Sequence, residues 1–130
     1  QKNIELNISN KFLGEVFWDK TQIQQTLMNL MENAIDSIDV KGQISISILQ
    51  TIPDNIEIVF SDTGKGISKE DIKKIFNLYF TTKDKGSGIG LSIVQKVIAE
   101  HNGIISVNSE LGKGTTFTIL LPKQFLGKKG

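Results

Sequence analysis

The hydrophobic period of this chain switches back and forth between that of a strand and that of a helix, and the order of the switches leaves few folds open. Ile4, Leu6 and Ile8 alternate with polar residues, as one face of a strand does. Val16-Phe17-Trp18 reads as a short second strand after a turn near Gly14. From Thr21 to Ile38 the spacing becomes helical: Ile23, Leu27, Leu30, Met31, Ala34 and Ile38 share one stripe, and Asp19 stands where an N-cap belongs. Lys41-Gly42 breaks the stripe. Ile44, Ile46 and Ile48 then alternate, Pro53-Asp54-Asn55 marks a turn, and Ile56, Ile58 and Phe60 return as a hairpin partner. Ser68 predicts the cap of a short helix over 69–76, with Glu70 and Asp71 in its first turn. A second long helix is expected from Gly90 to His101, closed by Asn102-Gly103. Ile104–Val107 and Thr115–Leu121 make a last hairpin through Gly112-Lys113-Gly114. This order does not alternate strand and helix as a doubly wound fold does. It predicts an α+β two-layer sandwich, a mixed and mostly antiparallel sheet packed on about three helices.

The 130 residues suit one domain, expected over 1–123, with a polar tail over 124–130. No apolar run approaches the roughly 18 residues that a membrane span needs, and Gln1 opens no signal peptide. The pattern starts directly in a strand, as in a fragment of something longer. Cysteine is absent, which excludes disulfides and thiolate metal sites and fits a reducing, cytoplasmic setting. Net charge is +1 with no basic block, so no nucleic-acid footprint is expected. All 15 basic residues are Lys. A phosphate clamp would therefore use Lys, backbone N–H groups or a metal, and no arginine finger can come from within the chain.

Four short runs carry chemistry in a fixed order. Asn29 and Asn33, with Asp36, fall within about 60° of one another on the first helix, opposite the apolar stripe. A solvated polar face is one reading of them. The other is a neutral oxygen ligand for Mg²⁺ already shared with phosphates. Asp62-Thr-Gly64-Lys-Gly66 closes a strand: either a glycine-rich turn, or an acceptor for an adenine amino group with glycines that let backbone approach the base. Phe80-Thr-Thr-Lys83 lies in an irregular segment over 77–87, rich in Thr, Lys and Gly as a lid would be. Gly86-Ser-Gly88-Ile-Gly90-Leu91 opens a helix, whose free N–H groups favour phosphate. Its spacing is not that of a dinucleotide loop, and no Walker A run or protein-kinase loop set exists. Together the runs read as one purine-nucleotide site. His101, the only histidine, is expected to pack or cap at a helix end, not to act as base or phosphoacceptor.

With Gly112-Lys-Gly114-Thr115-Thr116-Phe117, these runs resemble the asparagine, glycine and phenylalanine boxes of the catalytic and ATP-binding domain of sensor histidine kinases, a Bergerat fold shared with gyrase-type ATPases. The resemblance runs from Ile4 to Pro122. It implies Mg·ATP held between helices under a mobile lid. Asn33 would be the Mg²⁺ ligand, Asn29 would lie near the phosphates, and both would be catalytic together with Lys83. Asp62 would read adenine with support from Thr115, and Gly64, Gly66 and Ile67 would line the base pocket. Phe76 and Phe80 belong to the phenylalanine box. Phe80, Thr82, Lys83 and Lys85 would meet ATP from the lid, while Gly86, Ser87, Gly88, Ile89, Gly90 and Leu91 would wrap the phosphates.

Some positions depart from the family pattern. Asp36 stands where many such kinases carry a phosphate-binding Lys or Arg, and Thr81 where some carry a lid Arg, which shifts the terminal-phosphate contact to Lys83 or Lys85. No segment here resembles the phosphoacceptor helices. The resemblance therefore implies a chain that binds Mg·ATP and donates its γ-phosphate to a histidine on a separate dimerisation domain, with a response regulator downstream and no direct contact with a membrane. The isolated domain is expected to be monomeric. The alternatives are a stand-alone serine kinase that inhibits a sigma factor and an ATPase of the gyrase type. Both resemble a pattern with Glu where Asn29 stands, and Asn cannot serve as a general base.

Overall fold

The computed structural model describes residues 2–51, 54–77 and 90–124. In chain order the elements are β1 (Asn3–Asn10), α1 (Lys20–Ser37), β2 (Lys41–Thr51), β3 (Asn55–Asp62), α2 (Lys69–Ile72), α3 (Gly90–Glu100), β4 (Ile104–Glu110) and β5 (Gly114–Pro122). The strands form one sheet in the order β1-β2-β3-β5-β4. β1 runs parallel to β2, which requires the crossover that α1 supplies. The remaining pairs are antiparallel. This is the expected mixed, mostly antiparallel sheet with helices on one face.

Register explains how the alternating isoleucines make a core. Ile48, Ile58, Ile119 and Ile105 stand side by side across four strands, and Ile46, Phe60, Phe117 and Val107 form the next row. Ile23, Leu30, Ala34 and Ile38 of the α1 segment and Val94, Val97 and Ile98 of α3 cover these rows. Each such Ile, Leu or Val side chain, fully buried, contributes roughly 1.5–3 kcal/mol. The opposite face is polar. Asn7, Ser45, Ser61, Thr116 and Asn108 line up across all five strands, and the Ser61 and Thr116 hydroxyls bond at 2.9 Å.

The local signals at the helix ends act as their chemistry predicts. The Asp19 carboxylate accepts from the Gln22 N–H at 3.0 Å, and Ser68 Oγ accepts from the Asp71 N–H at 3.1 Å. α3 ends in a Schellman turn. Gly103 N–H donates to Ile98 O at 2.8 Å, and Asn102 N–H donates to Ala99 O at 3.0 Å with Asn102 at φ 62°. Asn102 takes the left-handed conformation. Gly103 is required for another reason: a Cβ there would press on Leu120 O and the Leu121 side chain.

Two sequence expectations need correction. Val16-Phe17-Trp18 is not a strand. Phe17 makes one isolated parallel bridge to Gln124, and the Trp18 indole N–H donates to Pro122 O at 2.7 Å. The short helix is a single turn over Lys69–Ile72 followed by turns, because Ile75 and Phe76 are drawn down onto the sheet; Phe76 stacks edge-on against Phe117 with centroids 6.5 Å apart. Beyond Pro122, the Lys123 C=O accepts from the Phe17 N–H, the Lys123 N–H donates to Asp54 O, and the pairing reaches Gln124.

Candidate functional site

The rows of the core face turn polar at one end of the sheet. Beyond the Ile46–Phe60–Phe117–Val107 row comes Ile44, Asp62, Thr115 and Ser109. The period that buries Ile56, Ile58 and Phe60 also carries Asp62 to the helix side, where it is only 8% exposed. A carboxylate there must find donors or lose its charge. Asp62 Oδ1 accepts from the Gly64 N–H at 2.8 Å, and the Thr115 backbone also bonds the carboxyl. Burial outweighs both and raises the Asp62 pKa above the ordinary carboxylate range.

The glycines beside Asp62 are there for protein contacts. A Cβ at Gly64 would collide with Ser37, and one at Gly66, which sits at φ 77°, would collide with Glu110 O. A Cβ at Gly114, at φ 122°, would collide with Asp62 O. The sequence reading assigned Gly64 and Gly66 to close approach by a base. The structure shows that each also lets the loop lie flat on the end of α1 and on the β4–β5 turn. The loop is tied down on both sides: Lys65 N–H donates to Ser37 O and Ser37 Oγ, both at 3.0 Å, and Gly112 N–H donates to Lys65 O at 2.8 Å. Ile67 packs half-buried on the core, and its N–H donates to Ser109 Oγ at 2.8 Å.

α1 forms the second wall. Asn29, Asn33 and Ser37 follow one another at intervals of four residues and share one edge of the helix. At one end Asn29 Nδ2 donates to Gly90 O at 3.3 Å, reaching the first residue of α3. Its Oδ1 accepts from Gln25 Nε2 at 3.3 Å. At the other end Ser37 holds the loop after Asp62. Asn33 stands one turn from each. Asn29 is 9% exposed, so it does not lie on a solvated face; α3 covers it. Asp36 is exposed. Gly90 opens α3 with no side chain over Asn29, and Leu91 packs half-buried on the core.

The structure thus brings Asn29, Asn33 and Gly90 together on one side and Asp62, Gly64, Gly66, Ile67 and Thr115 on the other, joined through Ser37. Phe80, Thr82, Lys83, Lys85, Gly86, Ser87, Gly88 and Ile89 lie outside the described residues. Sequence reasoning missed Ser37 and Ser109. For Ser37 a signal existed, the continuation of the Asn29–Asn33 interval by one more turn. For Ser109 none did, because its meaning depends on cross-strand register. His101 lies away from this site, 1% exposed. Its Nε2 accepts from the Asp19 N–H at 3.1 Å, and its Nδ1 is 2.9 Å from Val97 O, the packed cap the sequence predicted.

Among the described residues no helix is long and apolar enough to cross a membrane, and no cluster of His, Cys, Asp and Glu forms a metal site of its own. Comparison with known proteins gives one consistent result. The family model described as histidine kinase-, DNA gyrase B- and HSP90-like ATPase matches residues 18–124. The sensor histidine kinase ZraS of Salmonella typhimurium is 41% identical over 122 residues, covering 93% of this chain and 26% of the relative. Sporulation kinase E of Bacillus subtilis is 36% identical over 92% of this chain and 17% of its own length. The chain thus spans about a quarter of the first of these curated relatives and less of the second. Among solved structures, the nucleotide-free catalytic domain of histidine kinase ThkA superposes with a TM-score of 0.82 at 34% identity, covering 94% of this chain and 80% of that one. Full-length ShkA in complex with AMPPNP gives 0.84 at 25% identity, over 96% of this chain and 27% of ShkA. With the family model covering most of its length, the chain belongs to the histidine kinase-, DNA gyrase B- and HSP90-like ATPases, among relatives that are sensor histidine kinases.

Proposed function

We propose that this chain binds Mg·ATP and presents the γ-phosphate to a histidine on a separate dimerisation and phosphoacceptor domain of a two-component sensor kinase, with a response regulator as the onward acceptor. One observation carries the reading: the buried polar row of Asp62 and Thr115 faces the same helical layer whose Asn29–Asn33 edge ends on the bare start of α3. The first feature suits the edge of a base and the second suits phosphates. Because ATP is a cytoplasmic substrate, the domain is assigned to the cytoplasm.

In this reading Asp62 accepts from the adenine amino group and Thr115 supports it, directly or through water. Gly64, Gly66 and Ile67 border the base. Gly90 and Leu91, with Gly86, Ser87, Gly88 and Ile89 before them, surround the phosphates. Phe80 and Thr82 belong to the lid, and Lys83 or Lys85 takes the terminal phosphate. Asn33 offers a neutral amide oxygen, a donor that suits Mg²⁺ held mainly by phosphates and water. The ion, when bound, offsets charge on the phosphate oxygens. The chain's own residues bind and orient, and the base for the attacking histidine comes from the other domain. Water activation at position 29 is disfavoured. The Asn29 amide is engaged by Gln25 and Gly90 O, and it has no basic atom.

Calorimetric titration with a non-hydrolysable ATP analogue tests this directly. Saturable binding that strengthens with Mg²⁺ is expected, and silence at millimolar nucleotide would sink the proposal. Asn33→Ala should remove the Mg²⁺-dependent gain while leaving weak metal-free binding in place. An unchanged Mg²⁺ response would reassign the ligand.

A further inference from the structure

Ser109 has one proton and three close partners. It donates that proton to Gly114 O at 2.8 Å. It accepts from the Ile67 N–H at 2.8 Å. Its third contact, 2.8 Å to Thr115 Oγ1, must then be donated by Thr115. Thr115 is 4% exposed, and its hydroxyl spends its own proton on Ser109, so it offers lone pairs only. Directly across the strand pair from Thr115 stands Asp62, whose carboxylate is likewise an acceptor. From this network we infer that Ser109 is a positioning residue for purine selectivity: it fixes the Thr115 hydroxyl as an acceptor, so that the Asp62–Thr115 pair accommodates a 6-amino purine and opposes a 6-oxo one. The inference rests on the nucleotide site proposed above and extends it to a residue that no base need touch.

The chemistry follows from counting protons. An adenine 6-amino group brings two donors to two acceptors. A hypoxanthine base set in the same place brings a carbonyl oxygen, which both acceptors repel. Without Ser109 the Thr115 hydroxyl is free to turn and donate, and the penalty on the 6-oxo group relaxes. Ser109 also anchors the loop at Ile67, so part of any effect of its removal is structural. A structural effect alone would weaken both nucleotides alike, whereas turning the hydroxyl changes their ratio.

The experiment is calorimetric titration of the chain with Mg·ATP and with Mg·ITP, which differ at the purine 6-position. The wild type is expected to favour ATP. Ser109→Ala should narrow the ATP/ITP ratio by about 5–20-fold, the range that one or two neutral hydrogen bonds provide. Ser109→Thr, which keeps the hydroxyl, should hold the wild-type ratio. Should Ser109→Ala fail to fold, as judged by its melting transition, Ser109→Cys fills the space with a slightly larger atom that is a weak donor and should narrow the ratio in the same direction. An unaltered ratio in the folded variant, or equal loss for both nucleotides, overturns the role given to Ser109 and leaves the site standing. A wild-type chain that binds neither nucleotide overturns the site itself, and this inference with it.

Discussion

Asp62 is a carboxylate that the β-strand period carries into the core and that two backbone donors only partly reward. Because burial raises its pKa, the folded protein holds this proton more tightly than the unfolded chain. By linkage, Asp62 favours the folded state below the ordinary carboxylate range, and that gain is lost as pH rises through the raised value. Nucleotide binding runs the other way, since the ionised group is the better acceptor. Affinity for ATP should therefore rise with pH across that window, and Asp62→Asn should flatten the profile. The same substitution removes a desolvated charge, so it should raise the melting temperature of the free domain at neutral pH while weakening ATP roughly 10–100-fold. A variant that melts lower and binds normally would refute both halves. Thr26 offers a cleaner stability test. It is 1% exposed on α1, and its hydroxyl finds no hydrogen-bond partner among the described residues. Thr26→Val replaces that hydroxyl with a methyl of similar shape and should stabilise by about 1 kcal/mol in denaturant melts.

At the scale of elements, what could be read from the sequence was what local period encodes. Ile44, Ile46 and Ile48 against Ile56, Ile58 and Phe60 announce a hairpin, and the stripe of the first helix packs on the core the residues its spacing marks. Asn29 and Asn33 are marked by helical spacing too, but a wheel drawn for one helix leaves a solvated face open as one of two readings of Asn29. Only the packing of α3 shows it to be buried. Trp18 and Phe17 misled because their partners, Pro122 and Gln124, lie at the other end of the chain. The Asn29–Asn33 interval, carried one turn further, points to Ser37, whereas Ser109 acts through cross-strand register, which no window of sequence contains. The end of α3 mixes both kinds of information. Asn102-Gly103 was recognisable as a stop, yet Asn102 carries the positive φ, while Gly103 is needed because β5 lies close. Asn102→Ala should cost about 1 kcal/mol, because Ala keeps the Cβ but lacks the short polar side chain that lets Asn tolerate the left-handed region, and lower the melting temperature by roughly 3–5 °C. Gly103→Ala should cost more, because the neighbour it meets is backbone. A smaller loss at 103 than at 102 would show that the Leu120 contact yields.

Across the whole molecule, the position of α3 is set by two polar fasteners at opposite ends. At its C-terminus His101 accepts from the N-cap residue of α1, and at its N-terminus Gly90 O accepts from Asn29 in the middle of α1. The helices are therefore antiparallel neighbours, with Val94, Val97 and Ile98 closing the space between them against Ile23 and Leu30. The fastener at His101 lies far along α3 from Gly90, so the two have different consequences. His101→Leu fills much of the same volume but leaves the Asp19 N–H unpaired at the start of α1. Leaving a partly buried donor unmet costs up to about 1–3 kcal/mol, so the domain should melt lower. If α3 moves as a rigid rod, its N-terminus shifts too, and ATP affinity should fall several-fold with the ATP/ITP ratio intact, because the base-reading row is untouched. Asn29→Ala acts at the phosphate end and should weaken ATP with a smaller loss of stability. Measuring both variants for melting temperature and for ATP and ITP affinity separates the cases. A stability loss at His101 with unchanged ATP binding would mean that α3 is held at its two ends independently, and that the start of the helix is placed by Asn29 alone.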